Sequence, residues 1–138
     1  MRPKIYTSRY NNRKLKDFDG VKVQISMRLP EWYLGYVPER IKLLEPRGIE
    51  WDEKFEANYR KQLEKIGVEA IEREFQRLWS EYPDKPIILL CFENVYEKDC
   101  HRRMFARWWQ ENTGETIEEL EKPPVPNPDP RIDQLQLL

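Results

Sequence analysis

The chain has 138 residues, of which 39% are hydrophobic and 36% are charged. This length is typical of one domain that buries its own hydrophobic core, and it is too short for two such domains. The 24 basic and 25 acidic residues give a formal net charge of −1, which excludes binding of polyanions through overall charge. Residues 1–30 nevertheless hold eight Lys or Arg and two Asp. This basic stretch indicates either a face that favours phosphate or only uneven surface charge.

Targeting signals and cysteine usage set the expected compartment. No apolar run approaches the roughly 20 residues that a membrane-spanning helix needs. The N-terminal segment MRPKIYTSRY lacks the apolar centre of a secretory signal, and two cysteines do not make a disulfide framework. We therefore expect a reduced, cytoplasmic protein with no membrane partner.

Two segments near the N terminus have the pattern of strands. Lys4–Thr7 is a short strand-like run followed by a polar loop, and Val21–Met27 alternates apolar and polar residues. Pro30 limits the extension of the second strand because proline lacks an amide donor. The following segment, 36–51, predicts loops around one helical turn near Pro38–Leu44.

Three helices are predicted from apolar residues at i, i+3 and i+4 spacings. Asp52 is the expected N-cap of the first helix, and Gly67 separates the first helix from the second. Gly114 lies just beyond the end of the third, where glycine often terminates a helix. The predicted bounds are 52–66, 68–82, and from Asp99 or Cys100 to about Asn112.

Ile87–Cys91 is a continuous apolar run, which is typical of a strand buried on both faces of a parallel sheet. Residues 116–120 predict a last strand or a turn. Strands followed by helices indicate an α/β fold, so we expect a single three-layer Rossmann-like domain over residues 1–121, with a mostly parallel sheet flanked by helices. The proline-rich C-terminal tail, residues 122–138, is predicted to be extended or disordered.

Ligands of such sheets usually bind beyond the carboxyl ends of the strands. We therefore place the functional centre at the strand-to-helix corner formed by residues 87–103. Tyr6 and Ser8 lie at the end of the first predicted strand and Arg28 follows the second, so these three are candidate ligand-binding residues. Two aromatic residues are candidates either for stacking on a base or for core or lid packing, namely Trp32 and Tyr33.

Glu93 follows the apolar run by two residues. A carboxylate that leaves a buried strand is partly desolvated, which can raise its pKa toward the range of a general acid or base. We therefore predict that Glu93 is catalytic. The alternative interpretation is an ion pair with a nearby arginine, such as Arg28.

The run Cys100-His101-Arg102-Arg103 begins the third predicted helix. A helix N-terminus offers free amides and a partial positive charge that suit phosphate or carboxylate groups. Arginine adds charge-assisted donors, and this position also favours a thiolate. We predict that His101 is catalytic and that Cys100 and Arg102 bind ligand. The alternative is a structural role, in which Cys100 is buried and His101 makes structural hydrogen bonds.

No metal or cofactor site is predicted from the spacing of these residues. A metal would need Cys91, Glu93, Cys100 and His101, but zinc sites usually contain closer cysteine pairs such as C-x₂-C, whereas the spacing here is C-x₈-C. The strained nucleophile turn of a Ser-His-Asp or Cys-His protease is absent. The five glycines form no G-x-G pair, so no glycine-rich phosphate loop is present.

The segment LLCFE, followed by CHRR, resembles the LLC-x-E…CHR signature of the family called domain of unknown function 488. IYTSRYNNRKL is similar to that family's first strand and polar turn, and VKVQISMRLP is similar to its second strand. The chain departs from the family at residues 8–10, where small residues are usual, and at 25–27, where an Asp is usual. The resemblance, over roughly residues 4–120, implies a compact Rossmann-like domain and leans toward nucleotide or nucleic-acid chemistry. The pocket residues that it implies are Cys91, Glu93, Cys100, His101, Arg102 and Arg28.

Three functional hypotheses follow. The first is an enzyme that acts on a nucleotide, nucleobase or nucleic acid, with Glu93 and His101 in proton transfer and Arg28 and Arg102 on phosphate. The second is a non-catalytic nucleotide- or nucleic-acid-binding accessory protein, for example in a phage or defence setting. The third is a purely structural corner, in which the CHR residues hold the helix against the sheet.

Overall fold

The computed structural model describes residues 2–32, 37–93, 95–96 and 98–123. Within these ranges the chain forms five strands, three α-helices and two short 3-10 helices, Leu15–Asp17 and Lys42–Leu44. The strands are β1 (Ile5–Arg9), β2 (Val21–Gln24), β3 (Glu39–Arg40), β4 (Ile87–Cys91) and β5 (Glu118–Glu119), and the helices are α1 (Phe55–Ile66), α2 (Val68–Glu81) and α3 (His101–Thr113).

The five strands form one parallel sheet in the order β3-β2-β4-β1-β5. β4 lies at the centre, where Ile87 is opposite both Ile5 of β1 and Val21 of β2. Every residue of β4 is buried, because strands flank it on both edges and side chains cover both faces. The predicted α/β fold with a parallel sheet flanked by helices is confirmed, and so are the predicted bounds of the strand Ile87–Cys91.

The two faces of the sheet are covered differently. The three α-helices form one hydrophobic cluster with one face, which contributes residues such as Val23 and Leu89. The other face, which includes Ile88 and Leu90, packs against Leu15 of the first 3-10 helix. This division follows from the order of the strands. The β1-to-β2 connection crosses the sheet in one direction, and the helical β3-to-β4 and β4-to-β5 connections cross it in the other. Right-handed crossovers of opposite direction lie on opposite faces of a sheet.

The first helix begins at Phe55, later than the predicted Asp52. Asp52 forms a turn instead of a cap, because its carboxylate accepts a hydrogen bond from the Lys54 amide at 2.8 Å and its carbonyl accepts one from the Phe55 amide at 3.1 Å. Gly67 has a φ of 87°, which few other residues adopt readily. It therefore separates α1 from α2 as predicted.

The third helix begins at His101, and Cys100 is its N-cap residue. The Cys100 backbone is extended, and its carbonyl accepts hydrogen bonds from the Arg103 and Met104 amides. Gly114 ends the helix in the left-handed conformation with a φ of 80°. Because α3 follows β4 directly, its N-terminus lies at the carboxyl edge of the sheet.

The outer strands differ from the prediction at their ends. β1 continues to Arg9, whereas β2 stops at Gln24 and does not reach Met27. The chain turns there, because the Ser26 hydroxyl donates a hydrogen bond to the Arg28 carbonyl at 2.7 Å. The sequence does not predict β3, and β5 occupies only part of the predicted segment 116–120.

In the described part of the chain, no helix has the length and apolar character to cross a membrane. The proline-rich tail from residue 124 onward lies outside the described residues, and so does Tyr33.

Candidate functional site

A cavity of about 290 Å³ opens at the carboxyl edge of the sheet. Its walls come from the loop after β2, the loop before α1 and the corner between β4 and α3. Carboxyl ends of parallel strands and a helix N-terminus converge here, as expected for the ligand edge of an α/β sheet. The lining residues are Ser26, Met27, Arg28, Pro46, Trp51, Cys91, Phe92, Glu93 and His101.

Three of the predicted site residues line this cavity, namely Arg28, Glu93 and His101. Arg28 is exposed and Glu93 is partly buried. Among the described residues, neither the Arg28 guanidinium nor the Glu93 carboxylate has a side-chain hydrogen bond or an ion pair. The described contacts therefore do not support the interpretation of Glu93 as an ion-pair partner. The cavity is thus lined by a carboxylate and a guanidinium that have no partner among the described residues.

Arg102, a predicted ligand-binding residue, is not among the residues that line this cavity. Its side chain is fully buried, and its Nε and Nη2 atoms donate to the two carboxylate oxygens of Glu119 at 3.0 and 2.9 Å. Nη2 also donates to the Glu93 carbonyl at 2.7 Å, whereas Nη1 is buried and has no partner among the described residues. Burial acts to lower the pKa of Arg102, but the hydrogen bonds to Glu119, together with the negative charges of Glu119 and the two nearby cysteines, raise the pKa above its ordinary value. These contacts make Arg102 a residue that positions the Glu93 backbone.

Glu119 is an important residue of this corner that the sequence analysis does not single out. It lies on β5 opposite Thr7 of β1. The Thr7 hydroxyl donates to the Glu119 carboxylate at 2.8 Å and accepts a hydrogen bond from Arg103 Nη1 at 2.8 Å. The buried network thus connects β1, β5 and α3. No local sequence signal identifies Glu119, because β5 has only two residues and pairs with a strand at the other end of the chain.

The two N-terminal candidates do not line the cavity. Ser8 is buried, and its hydroxyl donates to the Arg9 carbonyl at 3.0 Å and accepts from the Asn12 side-chain amide at 3.1 Å. Tyr6 packs edge-on against Phe18, with ring centroids 5.6 Å apart. Tyr6 also belongs to the cluster on the sheet face opposite the α-helices. Both residues therefore have structural contacts in place of the predicted ligand contacts.

His101 is the centre of a buried cluster with the two cysteines of the chain. Its Nε2 atom lies 2.7 Å from the Ile25 carbonyl oxygen, and its Nδ1 atom lies 3.3 Å from Cys91 Sγ and 3.7 Å from Cys100 Sγ. A carbonyl can only accept a hydrogen bond, so Nε2 carries a proton. In a neutral ring, Nδ1 then presents its lone pair to the two sulfur atoms. The ring is held further by the edge-on contact with Tyr59, at 5.6 Å between centroids.

The two cysteines differ in their acidity. Burial, together with the neighbouring Cys100, raises the pKa of Cys91 well above its ordinary value. Burial also acts to raise the pKa of Cys100, but the hydrogen bond with Cys91, the adjacent His101 and the nearby charge of Arg102 outweigh it and hold the pKa well below its ordinary value. Of the two thiols, Cys100 is therefore the one whose deprotonation is favoured, and it lies next to the N-terminus of α3.

The three donor atoms of this cluster all lie within 4.8 Å of one another. The prediction of no metal site depends on the C-x₈-C spacing. That spacing is a poor guide here, because Cys91 ends a strand and Cys100 precedes the helix that packs against it. The residues most able to hold a metal ion in the described part of the chain are therefore Cys91, Cys100 and His101.

The cavity rim carries exposed hydrophobic side chains. Met27, Trp51 and Phe92 are 51%, 54% and 42% exposed. The Trp51 ring stacks on Phe55 with centroids 3.7 Å apart, and the Lys98 ammonium group lies 5.6 Å from the same ring. Fixed aromatic walls next to a guanidinium and a carboxylate are the composition expected of a pocket for a flat, anionic ligand.

The sequence analysis does not single out Trp51 and Phe92. The sequence carries a usable signal for both, since Trp51 is an isolated aromatic residue in a polar segment and Phe92 directly follows the apolar run Ile87–Cys91. Trp32, which was considered for stacking, is 58% exposed but does not line the cavity.

A larger groove, of about 760 Å³, lies between the second 3-10 helix and α1. Its basic residues are Lys42, Arg47, Lys61 and Lys65, and its floor includes Leu43, Ile49 and Ile66. None of the described residues that line it carries a carboxylate, a thiol or an imidazole. We therefore assign the candidate site to the smaller cavity, which has the chemically active groups.

Comparisons of the chain with protein-family models, with curated proteins and with solved structures find no match. The functional argument therefore depends on the chemistry of the cavity and its surroundings.

Proposed function

We propose that this protein binds a nucleotide or another nucleobase-containing ligand in the cavity at the carboxyl edge of the sheet, and that Glu93 transfers a proton to or from it. One observation carries the proposal. Glu93 and Arg28 line the same cavity, and neither side chain has a partner among the described residues. Polar groups left unpaired at the ligand edge of an α/β sheet are the groups expected to meet a ligand.

The chemistry of the walls favours an aromatic ligand with a negative charge. Trp51 and Phe92 supply aromatic surface for a base. Arg28 offers a planar guanidinium that matches the geometry of phosphate, and Lys98 adds a second cation next to Trp51. A volume of about 290 Å³ is at the small end of the range for ligand pockets. It suits a single nucleotide or base better than a long polymer segment.

The position of Glu93 supports a role in proton transfer. Its backbone carbonyl is held by Arg102 at 2.7 Å, and Arg102 is itself held by Glu119. A general acid or base must be fixed within hydrogen-bonding distance of the group that it protonates or deprotonates. The buried Arg102–Glu119 pair fixes the backbone and leaves the carboxylate unpaired at the cavity. His101 lines the cavity as well, but its two ring nitrogens are engaged by Ile25 and the cysteines.

We also propose that the chain is a compact, divergent relative of the family called domain of unknown function 488. The support is spatial: the signature residues Cys91, Glu93, Cys100, His101 and Arg102 converge at one corner of a parallel α/β sheet. This relationship adds no reaction to the proposal, and the chemistry still follows from the cavity.

A thermal-shift screen tests the proposed ligand class. Wild-type protein is screened against nucleoside 5′-monophosphates, nucleosides, free bases and short single-stranded DNA, and each mixture is analysed by chromatography for new products. We expect a monophosphate or a nucleoside to raise the melting temperature and Glu93→Gln to keep that shift while losing product formation. If no compound of these classes shifts the melting temperature, the proposed ligand class is wrong. If ligands bind but wild type and Glu93→Gln both leave them unchanged, the protein is a non-catalytic binder.

A further inference from the structure

The chain contains two cysteines and one histidine in total, and the fold brings all three side chains together. The donor atoms are Cys91 Sγ, Cys100 Sγ and His101 Nδ1, and they all lie within 4.8 Å of one another. The three residues are 0 to 3% exposed. We propose that they bind one zinc ion, with a fourth coordination position open toward the cavity.

The observed distances match the dimensions of a tetrahedral zinc site. Zinc binds thiolate sulfur at about 2.3 Å and imidazole nitrogen at about 2.0–2.1 Å, which places sulfur and nitrogen ligands roughly 3.5 Å apart. His101 Nδ1 lies 3.3 Å from one sulfur and 3.7 Å from the other. An ion can therefore be bound with shifts of a few tenths of an ångström in the sulfur-to-nitrogen distances.

The surroundings of His101 are those of a metal ligand. Its Nε2–H donates to the Ile25 carbonyl at 2.7 Å, which orients the ring and leaves Nδ1 for the ion. Histidines that bind metals almost always donate their other ring N–H to a carbonyl, a carboxylate or water. All three ligands also lie on regular elements, because Cys91 ends β4, Cys100 is the N-cap of α3 and His101 is its first residue. Secondary structure thus positions the backbones of all three ligands without the ion.

The charge of the proposed site is balanced. Two thiolates offset the double positive charge of a zinc ion, so the buried complex is neutral, and burial of an uncompensated charge is avoided. Arg102, the nearest buried cation in the described part of the chain, is already paired with Glu119.

The direction of the open coordination position follows from which of the three ligands line the cavity. Cys91 and His101 line it, whereas Cys100 does not. No aspartate or glutamate joins the group of donor atoms in the described part of the chain. The fourth ligand is therefore water or a group of the cavity ligand. Three protein ligands with one exchangeable position are the pattern of catalytic zinc, which makes bound water more acidic. Metal binding does not require the cavity ligand to be a nucleotide.

Metal analysis of untagged wild-type protein tests this proposal. Protein is purified under reducing conditions with zinc in the growth medium, and its zinc content is measured by mass spectrometry. We expect about one zinc ion per chain and, by X-ray absorption, two sulfur ligands at about 2.3 Å and two lighter ligands at about 2.0–2.1 Å. Cobalt substitution should give the visible bands of a tetrahedral site with thiolate ligands. Because the chain has no other cysteine or histidine, these signals can come only from the proposed ligands.

Variants provide the second measurement. Cys100→Ser and His101→Asn should each lose stoichiometric zinc, and circular dichroism checks that they remain folded. If the variants unfold, the proposal is tested by measurements on the wild-type protein alone. Addition of a chelator should then lower its melting temperature, and zinc should restore it. The proposal is overturned if reduced wild type takes up no stoichiometric zinc or cobalt, or if bound metal lacks two sulfur ligands. Neither result depends on the nucleotide screen.

Discussion

The guanidinium of Arg102 donates to both carboxylate oxygens of Glu119, and the distances are 3.0 and 2.9 Å. Both side chains are buried, at 0% and 7% exposure. The same guanidinium donates to the Glu93 carbonyl, so an ion pair between α3 and β5 sets the backbone position of the proposed catalytic residue. Arg102 thus acts through the Glu93 backbone and does not itself line the cavity.

Replacement of Arg102 by alanine should destabilise the fold strongly. Glu119 would then be left as a buried carboxylate without its cation, which costs about 3–5 kcal/mol in free energy of unfolding. Urea denaturation measures the change. Arg60→Ala is the control, because Arg60 pairs with Glu56 and Glu111 on the surface and should cost about 1 kcal/mol or less. Equal losses for the two variants would contradict the structural role of Arg102.

Replacement of Glu93 by glutamine should affect chemistry but not stability. The Glu93 carboxylate has no partner in the described part of the chain, so the free energy of unfolding should change by less than about 0.5 kcal/mol. Loss of a general acid or base should lower the turnover rate by about 10²- to 10⁴-fold. Turnover is followed by chromatography of the product that the screen identifies. Glu69→Gln, on the exposed side of α2, is the matched control. An active Glu93→Gln protein would exclude proton transfer by this residue.

Replacement of Arg28 by alanine should distinguish the contribution of the phosphate to binding from that of the base. A charge-assisted hydrogen bond contributes about 1.5–3 kcal/mol, so binding of a nucleoside monophosphate should weaken by about 10- to 100-fold. Binding of the matching nucleoside should change little. Calorimetric titration gives both affinities, with the exposed Arg13→Ala as the control. A similar loss for nucleoside and monophosphate would show that Arg28 does not contact the phosphate.

The N terminus should contribute a pH-dependent part of the stability. Arg2 donates two hydrogen bonds to Glu72, at 2.7 and 2.8 Å, and they hold the pKa of Glu72 below its ordinary value of 4.5. The folded state therefore binds this proton less readily than the unfolded chain. The contribution of the Arg2–Glu72 pair to the free energy of unfolding is therefore complete above pH 4.5. It is lost as the pH falls through the lowered pKa of Glu72.

Melting temperatures of wild type and Arg2→Ala across this pH range test that contribution. The difference between the two proteins should be largest at neutral pH and should shrink under acid conditions. The effect should be modest, since both side chains are about one-third exposed, at 36% and 31%. A difference that grows as the pH falls would have the wrong sign.

The long elements of the fold could be predicted from the sequence. Of the two short edge strands, β3 was not predicted, and β5 was predicted only as one of two alternatives for residues 116–120. The bounds of Ile87–Cys91 were predicted correctly because a short continuous apolar run in an α/β chain is typical of a central strand that is buried on both faces. The helices were predicted from periodicity, with errors at the caps, since Asp52 bonds within a turn before the helix. β3 and β5 have two residues each, and so short a strand exists only through its partner.

The candidate site could also be predicted only in part. Arg28, Glu93 and His101 were placed correctly at the cavity because carboxyl ends of parallel strands share one edge. Ser8 does not line the cavity, because its hydroxyl makes hydrogen bonds within a local turn. The convergence of Cys91 with Cys100 is not visible in the spacing, because it depends on how α3 packs against the end of β4.

The central claim is that a nucleobase-containing ligand binds in the cavity between the β2 and β4 loops. Titration of ¹⁵N-labelled protein with the monophosphate or nucleoside that gives the largest thermal shift tests it most directly. We predict amide shift changes in the loops after β2 and β4 and at the start of α3, around Arg28, Glu93 and His101. Changes confined to the basic groove around Lys42, Lys61 and Lys65, or no saturable changes at all, would contradict the account.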